Sequence, residues 1–327
     1  MRQIVIKENE AGQRLDKFLR KYMPYAPASF FYKMLRKKNI TLNGKKAEGK
    51  EKLSAGDWVH FYLAEETIEG FRETNTMVNE YQKAYQELKG ITVVYEDSGI
   101  LIVNKPGDVL SQKAREGDLS VNEWMIGYLL STGQLAFDQL ATFKPAVCNR
   151  LDRNTKGLLI GSKSLAAGQY MNQLIRERQI KKYYRLFVKG KVSREELLEG
   201  YLVKDEKTNR VHLVKEASDE GASYIKTRYY PIKQFSDRTL VEAELVTGKS
   251  HQIRIHMASI SHPILGDYKY GDRKWNDRYK AERQIESQLL YACRLEFGKL
   301  KAPLEELSCR VITAPVPVEF EKLMDKE

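Results

Sequence analysis

The chain has 327 residues, 42% hydrophobic and 30% charged, the balance of an ordinary soluble protein long enough for about two domains. No stretch approaches the ~18 to 20 uninterrupted apolar residues of a membrane span, and the first residues lack the apolar core of a signal peptide, so a cytoplasmic protein is expected. The net charge is +11, and residues 1–64 alone carry 14 Lys and Arg against 6 Asp and Glu, a net of +8, which leaves a solvated surface or a phosphate-binding module as the two readings.

In chain order, "RQIVIK" predicts a strand, and "RLDKFLRKYM" and "ASFFYKMLRKK" predict helices, with Leu15, Phe18, Leu19 and Tyr22 and then Phe30, Phe31, Met34 and Leu35 at helical spacing. Two short strands follow in "ITLNGKKAEGKEKLSAGDWVHFYL", separated by Asn-Gly and Gly-Asp turn signals. Residues 66–90 are polar and weakly periodic and read as a linker with short helix. From residue 91, "ITVVYEDSGILIVNKPGDVL" predicts two strands joined at Asp-Ser-Gly. Then come a buried strand "GLLIGS", an amphipathic helix with Leu165, Met171, Leu174 and Ile175 inward, and the strand "KKYYRLFVKG". The segments "ASYIKTRYYPIKQF" and "RTLVEAELVTGKSHQIRIHMA" alternate with period two, as half-buried antiparallel strands do. An α+β class with a mixed, largely antiparallel sheet is the expectation.

Several chemistries are disfavoured by spacing. "TGKS" at 247–250 would need a glycine where Ala243 stands to close a phosphate-binding P-loop. Cys148, Cys293 and Cys309 show no metal-type spacing, and the closest histidines, His251 and His256, would point to opposite faces of a strand. No serine or cysteine nucleophile has a recognisable elbow. The remaining candidate is Asp152, set between Arg150 and Arg153 in "NRLDRNTKGLLIGSKS", on a loop that leads into a core strand. The "RLD" at 14–16, by contrast, reads as a helix start with Asp16 at the surface.

Residues 12–63, through "RLDKFL", "LRKKNITLNGKK" and "LSAGDWVHFYL", resemble the S4 RNA-binding domain, a small α/β unit. That resemblance makes Arg14, Lys33, Arg36, Lys37, Lys38 and Lys45 the expected phosphate contacts. Residues 91–325 resemble the RluA-like pseudouridine synthases of ribosomal and transfer RNA, through "LIVNKPGDVLSQ", "NRLDRNTKGLLIGSKS", "IKKYYRLFVKG" and "VTGKSHQIRIHMASISHPILGDYKYG" in that order. The expected organisation is an S4-like domain at 1–65, a linker at 66–90 and a catalytic domain at 91–327.

The family resemblance implies isomerisation of specific uridines to pseudouridine, without metal or cofactor, by a monomer that binds RNA and no membrane. Large-subunit ribosomal RNA is the preferred substrate, transfer RNA the alternative within the class, and a non-catalytic ribosome-assembly factor the rival outside it. Position by position, Asp152 matches the catalytic aspartate, Arg150 the arginine that handles the extruded base, Tyr184 the tyrosine lying against that base, and Arg254 the arginine paired with the carboxylate. Asn149, Arg153, Lys105, Lys249 and His251 are the further expected substrate contacts, with Lys105 also shaping the "NKPG" turn. Asn149 stands where histidine is usual and Lys156 where serine is common; both are expected to flank the pocket.

Overall fold

The computed structural model describes residues 1–72, 76–205, 210–214, 216 and 222–324. The first unit runs β1 (Arg2–Val5), α1 (Leu15–Tyr22), α2 (Ala28–Arg36), β2 (Ile40–Leu42), β3 (Lys45–Lys46) and β4 (Trp58–Phe61), its strands forming an antiparallel sheet in the order β1-β4-β2-β3. Leu15, Phe18 and Leu19 of α1 and Phe31 and Leu35 of α2 are buried against Ile40, Val59 and Phe61 of the sheet. The apolar spacing of the two helices therefore makes one face each, and that face is the core. Asp16 departs from expectation: it is 8% exposed, because the Arg14 guanidinium grips its carboxylate through two hydrogen bonds of 2.8 and 3.0 Å and α2 closes over it.

The stretch read as a linker is mostly helical and divides between two cores. In α3 (Glu65–Gly70) Ile68 is buried with the first unit, whereas in α4 (Thr76–Glu87) Tyr81 and Ala84 are buried with the second; residues 73–75 of that stretch lie outside the described residues. α4 packs along α5 (Val121–Ser131), where Gly127 leaves no room for a side chain: a Cβ there would lie 2.2 Å from the Tyr81 carbonyl oxygen.

The second unit is built on one large sheet. Its strands are β5 (Thr92–Glu96), β6 (Ile100–Lys105), β7 (Ala146–Val147), β8 (Lys156–Ser162), β9 (Ile180–Lys189), β10 (Glu196–Asp205), β11 (Arg210–Val214), β12 (Ser223–Gln234), β13 (Arg238–Leu245), β14 (Leu290–Phe297) and β15 (Val311–Thr313). They lie in the order β11-β10-β12-β13-β9-β14-β8-β6-β5, with β7 beside β8 and β15 beside β14. All pairings are antiparallel except β8 with β14, so the sheet is mixed and largely antiparallel, in an α+β fold. That parallel contact demands a glycine. Gly157 has φ +104, and a Cβ on it would fall 2.2 Å from the Ala292 carbonyl oxygen.

Side chains alternate across this sheet. On β9, Tyr184, Leu186 and Val188 join the core beneath α6 (Leu165–Arg176), while Tyr183 and Phe187 face the opposite core, where α8 (Arg273–Arg283) and α9 (Val318–Met324) pack through Trp275, Tyr279, Phe320 and Leu323. Of the four residues expected inward on α6, Met171 and Leu174 are buried and Leu165 and Ile175 half-buried. No helix among the described residues is long and apolar enough to cross a membrane.

The segment after β13 overturns one expectation. "HQIRIHM" is not a strand continuation but α7 (Gln252–Ser259). Its alternating isoleucines imitate a strand, yet Gln252 to Met257 are all buried, so periodicity carried no information about the secondary structure. Gln252 anchors the turn instead, accepting from Thr247 Oγ1 at 2.8 Å and the Lys249 N–H at 3.1 Å while donating to Lys226 O and Thr227 Oγ1, each at 2.9 Å.

Candidate active site

The loop between β7 and β8 carries Asp152 to an open cleft of about 760 Å³ lined by parts of the β7–β8 loop, β9, the β13–α7 turn and the 110–114 segment. Arg254, on the buried first turns of α7, reaches it: Nη1 donates to Asp152 Oδ2 at 2.9 Å. The other edge of the guanidinium is held by Asp267, with Nε donating to Oδ2 at 2.7 Å and Nη2 to Oδ1 at 2.9 Å. Asp267 is 1% exposed and also accepts the Lys269 and Tyr270 N–H groups. Arg254 hydrogen bonds hold its carboxyl below the usual range against the opposing effect of burial, so the pair is ionic. The result is a carboxylate–guanidinium–carboxylate row with one buried end and one end facing the cleft.

Tyr184 lines the same cleft and is 6% exposed. Burial, assisted by the Asp152 charge, pushes its phenol well above the ordinary value, so it remains protonated. The aromatic face and the phenol together suit a flat polar base. Tyr183 is on the opposite face of β9, with Arg294 stacked 4.0 Å from its ring centre.

His251 sits at the N-cap of α7 with φ 59, its Nδ1 2.8 Å from the Tyr270 hydroxyl and its Nε2 3.8 Å from Asp152 Oδ2. Burial lowers its pKa, against the pull of Asp152, and favours the neutral ring. His256 turns away into the protein against Thr227, where burial lowers it to about 4. Arg150 and Lys249 line the cleft with exposed side chains that make no ion pair among the described residues. Asn149 also lines it, its Oδ1 accepting the Ile160 N–H at 2.8 Å.

Three sequence-predicted contacts stand elsewhere. Lys105 is fully buried and off the cleft wall, its ammonium donating to three backbone carbonyls; burial lowers its pKa to about 7. Arg153 is exposed beyond the cleft and pairs with Asp108 at 2.8 Å. Lys156 does not flank the pocket, because its ammonium lies 2.6 Å from Glu319 and ties β8 to α9. Sequence reasoning missed Asp267 and the cleft-lining Arg176, Arg178 and Lys182. The signal for Asp267 was the "GD" in which Gly266, at φ +78, turns the chain toward Arg254.

In the first unit Lys33, Arg36, Lys37, Lys38 and Lys45 are exposed and enter no ion pair among the described residues, while the Arg14 guanidinium is committed to Asp16.

Residues 99–259 match the RNA pseudouridylate synthase family, and residues 13–59 match the S4 domain. The ribosomal large subunit pseudouridine synthase C of Vibrio cholerae is 32% identical over 324 residues, covering 99% of this chain and 96% of that protein. The protein of the same name from Escherichia coli K12 is also 32% identical, over 93% of each chain. Among solved structures, human RNA pseudouridylate synthase domain containing 4 superposes with a TM-score of 0.58 at 19% identity, over 77% of this chain and 97% of the human one.

Proposed function

Because the chain belongs to the RNA pseudouridine synthase family, a family of RNA isomerases, we propose that its cleft converts specific uridines of large-subunit ribosomal RNA to pseudouridine, with Asp152 as the essential carboxylate. The observation that carries the site assignment is the row Asp152–Arg254–Asp267 at the wall of a cleft shared with Tyr184. The substrate assignment rests on full-length similarity to proteins named for the large subunit.

The reaction asks for little beyond placement and charge. The bond from ribose C1′ to N1 breaks, the base turns, and C1′ bonds to C5; C5 gives up its proton and N1 gains one, so uridine and product are isomers. A stacked uridine must first leave its helix, at a cost of a few kcal/mol. Tyr184 supplies a wall for the extruded ring, and Arg150, exposed in the cleft lining and without an ion pair among the described residues, suits the place the base vacates. Asp152 then presents negative charge to the electron-poor sugar carbon as the base departs. Arg254 fixes the direction of that carboxylate, and Asp267 fixes Arg254, so no reorganisation is needed at the moment of reaction.

In this reading residues 1–65 deliver affinity through the exposed cations of α2, the turn that follows it and β3, and residues 91–327 deliver chemistry. The protein acts in this reading as a monomer, in the cytoplasm where ribosomal RNA is processed. The test is a chemical map of pseudouridines after incubating the protein with transcribed large-subunit RNA and, in parallel, with transfer RNA. New pseudouridine at discrete positions of the large-subunit RNA is expected; modification of transfer RNA alone would move the substrate assignment, and modification of neither would end it.

A further inference from the structure

The small antiparallel sheet of the first unit has two unlike faces. Residues directly opposite each other on paired antiparallel strands share a face. Ile40, Val59 and Phe61 point toward α1 and α2 and are buried with them. The other face carries Trp58 and His60 of β4, with Val5 opposite Trp58 and with Gln3 and Thr41 opposite His60. Thr41 in turn faces Lys46 of β3, whereas Lys45, opposite Leu42, lies on the helix side. Tyr62 continues the alternation past the end of β4, its N–H donating to Asn39 O at 2.8 Å. This second face is open to solvent: Val5 is 53% and Tyr62 45% exposed, and Gln3 and Lys46 are exposed as well.

Three rings stand in one row on that face. His60 and Tyr62 are stacked, with ring centres 4.5 Å apart and 8° between their planes, and Trp58 meets His60 edge-on at 5.8 Å and 70°. Trp58 is seated over the β2–β3 turn, where a Cβ on Gly44 would lie 3.2 Å from the tip of the indole. The row is therefore closed at the half-buried Trp58 and open at Tyr62, the most exposed of the three. None of the indole N–H, the imidazole nitrogens or the phenol has a hydrogen-bond partner among the described residues. The strands of this sheet carry Arg2, Lys45 and Lys46 and no Asp or Glu, within a segment of net charge +8. An apolar protein surface would leave the polar edges of these rings unsatisfied, and a basic one would meet Lys46. An unpaired nucleobase offers a flat face, hydrogen-bonding edges and an adjoining negative charge, and it meets each of these features.

We infer that the open face of this sheet is a second RNA contact, on the side away from α1 and α2: an unpaired base stacks on the free face of Tyr62 as a third ring beyond His60, and its backbone runs across β2 toward Lys46. The inference rests on the reading of the first unit as an RNA-binding module and adds to it a preference for unpaired strand. Base faces within a duplex are already covered by their neighbours, so only an unpaired or terminal base can join the row. An aromatic face accepts any base, so the contact selects by strandedness and not by sequence.

Fluorescence anisotropy of the full chain tests this with two labelled probes, an RNA hairpin and the same hairpin carrying an unpaired adenosine tail, which offers no uridine to the cleft. The tail should tighten binding of the parent. Tyr62→Ala should remove that gain, weakening the tailed RNA roughly 5- to 100-fold while the bare hairpin stays within about twofold of the parent. Tyr62→Phe keeps the ring and should keep the gain. Lys46→Gln should lower the slope of log affinity against log salt by about 1 on the tailed RNA alone. A tail that adds nothing to the parent, a gain that survives Tyr62→Ala, or equal losses on both probes would each overturn the inference, and an unchanged salt slope would overturn its Lys46 half. Parental affinity of every variant for both probes would also overturn it and leave the row of rings as a protein-facing surface. Failure of the parent to bind either probe would instead sink the RNA-binding reading on which the inference rests.

Discussion

Arg254 Nη1 donates to Asp152 Oδ2 at 2.9 Å, joining two residues 102 positions apart in the chain. The contact exists because α7 begins directly after a turn pinned by Gln252, and because the β7–β8 loop is held over the same end of the sheet. Arg254 is 8% exposed and Asp267 1%, so the far half of the row is a buried ion pair, whose value lies in geometry more than in net stability.

Removing the buried anchor has a predictable cost. Arg254→Met leaves Asp267 without its cation and should destabilise the fold by ~3–5 kcal/mol, the usual range for an orphaned buried charge. Asp267→Asn should leave RNA affinity near the parental value while the single-turnover rate falls at least tenfold, since the guanidinium loses its rigid support. Equilibrium denaturation and pre-steady-state kinetics read the two effects separately.

Acid should expose the same pair. Asp267 has a folded-state pKa held below the unfolded value of ~3.9, so its stabilisation is complete above that value and is lost as pH falls through the folded one. Denaturation midpoints of the parent should therefore fall below about pH 4, and part of that fall should be missing in Asp267→Asn. An identical acid limb in both proteins would contradict the assignment.

Tyr184 is expected to serve mainly as a surface for the base in binding. Tyr184→Phe should hold RNA affinity within about twofold, whereas Tyr184→Leu should weaken it by ~1–3 kcal/mol, the value of one base on an aromatic side chain. Titration with a short RNA containing the target uridine checks both.

The exposed cations of the first unit should act through charge and not sequence. Replacing Lys33, Arg36 or Lys37 by Gln should weaken binding to any RNA uniformly and reduce the slope of log affinity against log salt by about 1 per phosphate contact removed. Arg14 is a poor candidate for such a contact, because Asp16 already holds its guanidinium.

The fold class and the family were legible because the blocks around Asp152, Tyr184 and Arg254 carry local features that survive without a structure: a turn glycine, a buried strand, an arginine on a fixed spacing. The identity of α7 was not, since a helix buried on every side has no polar face to reveal its period. Asp267 was also hidden. Its partner lies 13 residues away through a turn, a relation that neither helical nor strand spacing predicts. Lys105, expected both to touch substrate and to shape the "NKPG" turn, spends its ammonium on the Pro106, Val109 and Arg153 carbonyls, and Lys156, expected to flank the pocket, pairs with Glu319; sequence spacing does not reveal either partner.

The central claim is that Asp152 drives an exchange in which C5 of uridine loses its proton. Large-subunit RNA labelled with tritium at uridine C5 measures it directly. The parent protein should release tritium in a fixed number of equivalents per RNA, and Asp152→Asn, still bound to that RNA, should release none. Equal release by the variant, or no release by the parent, would contradict the account.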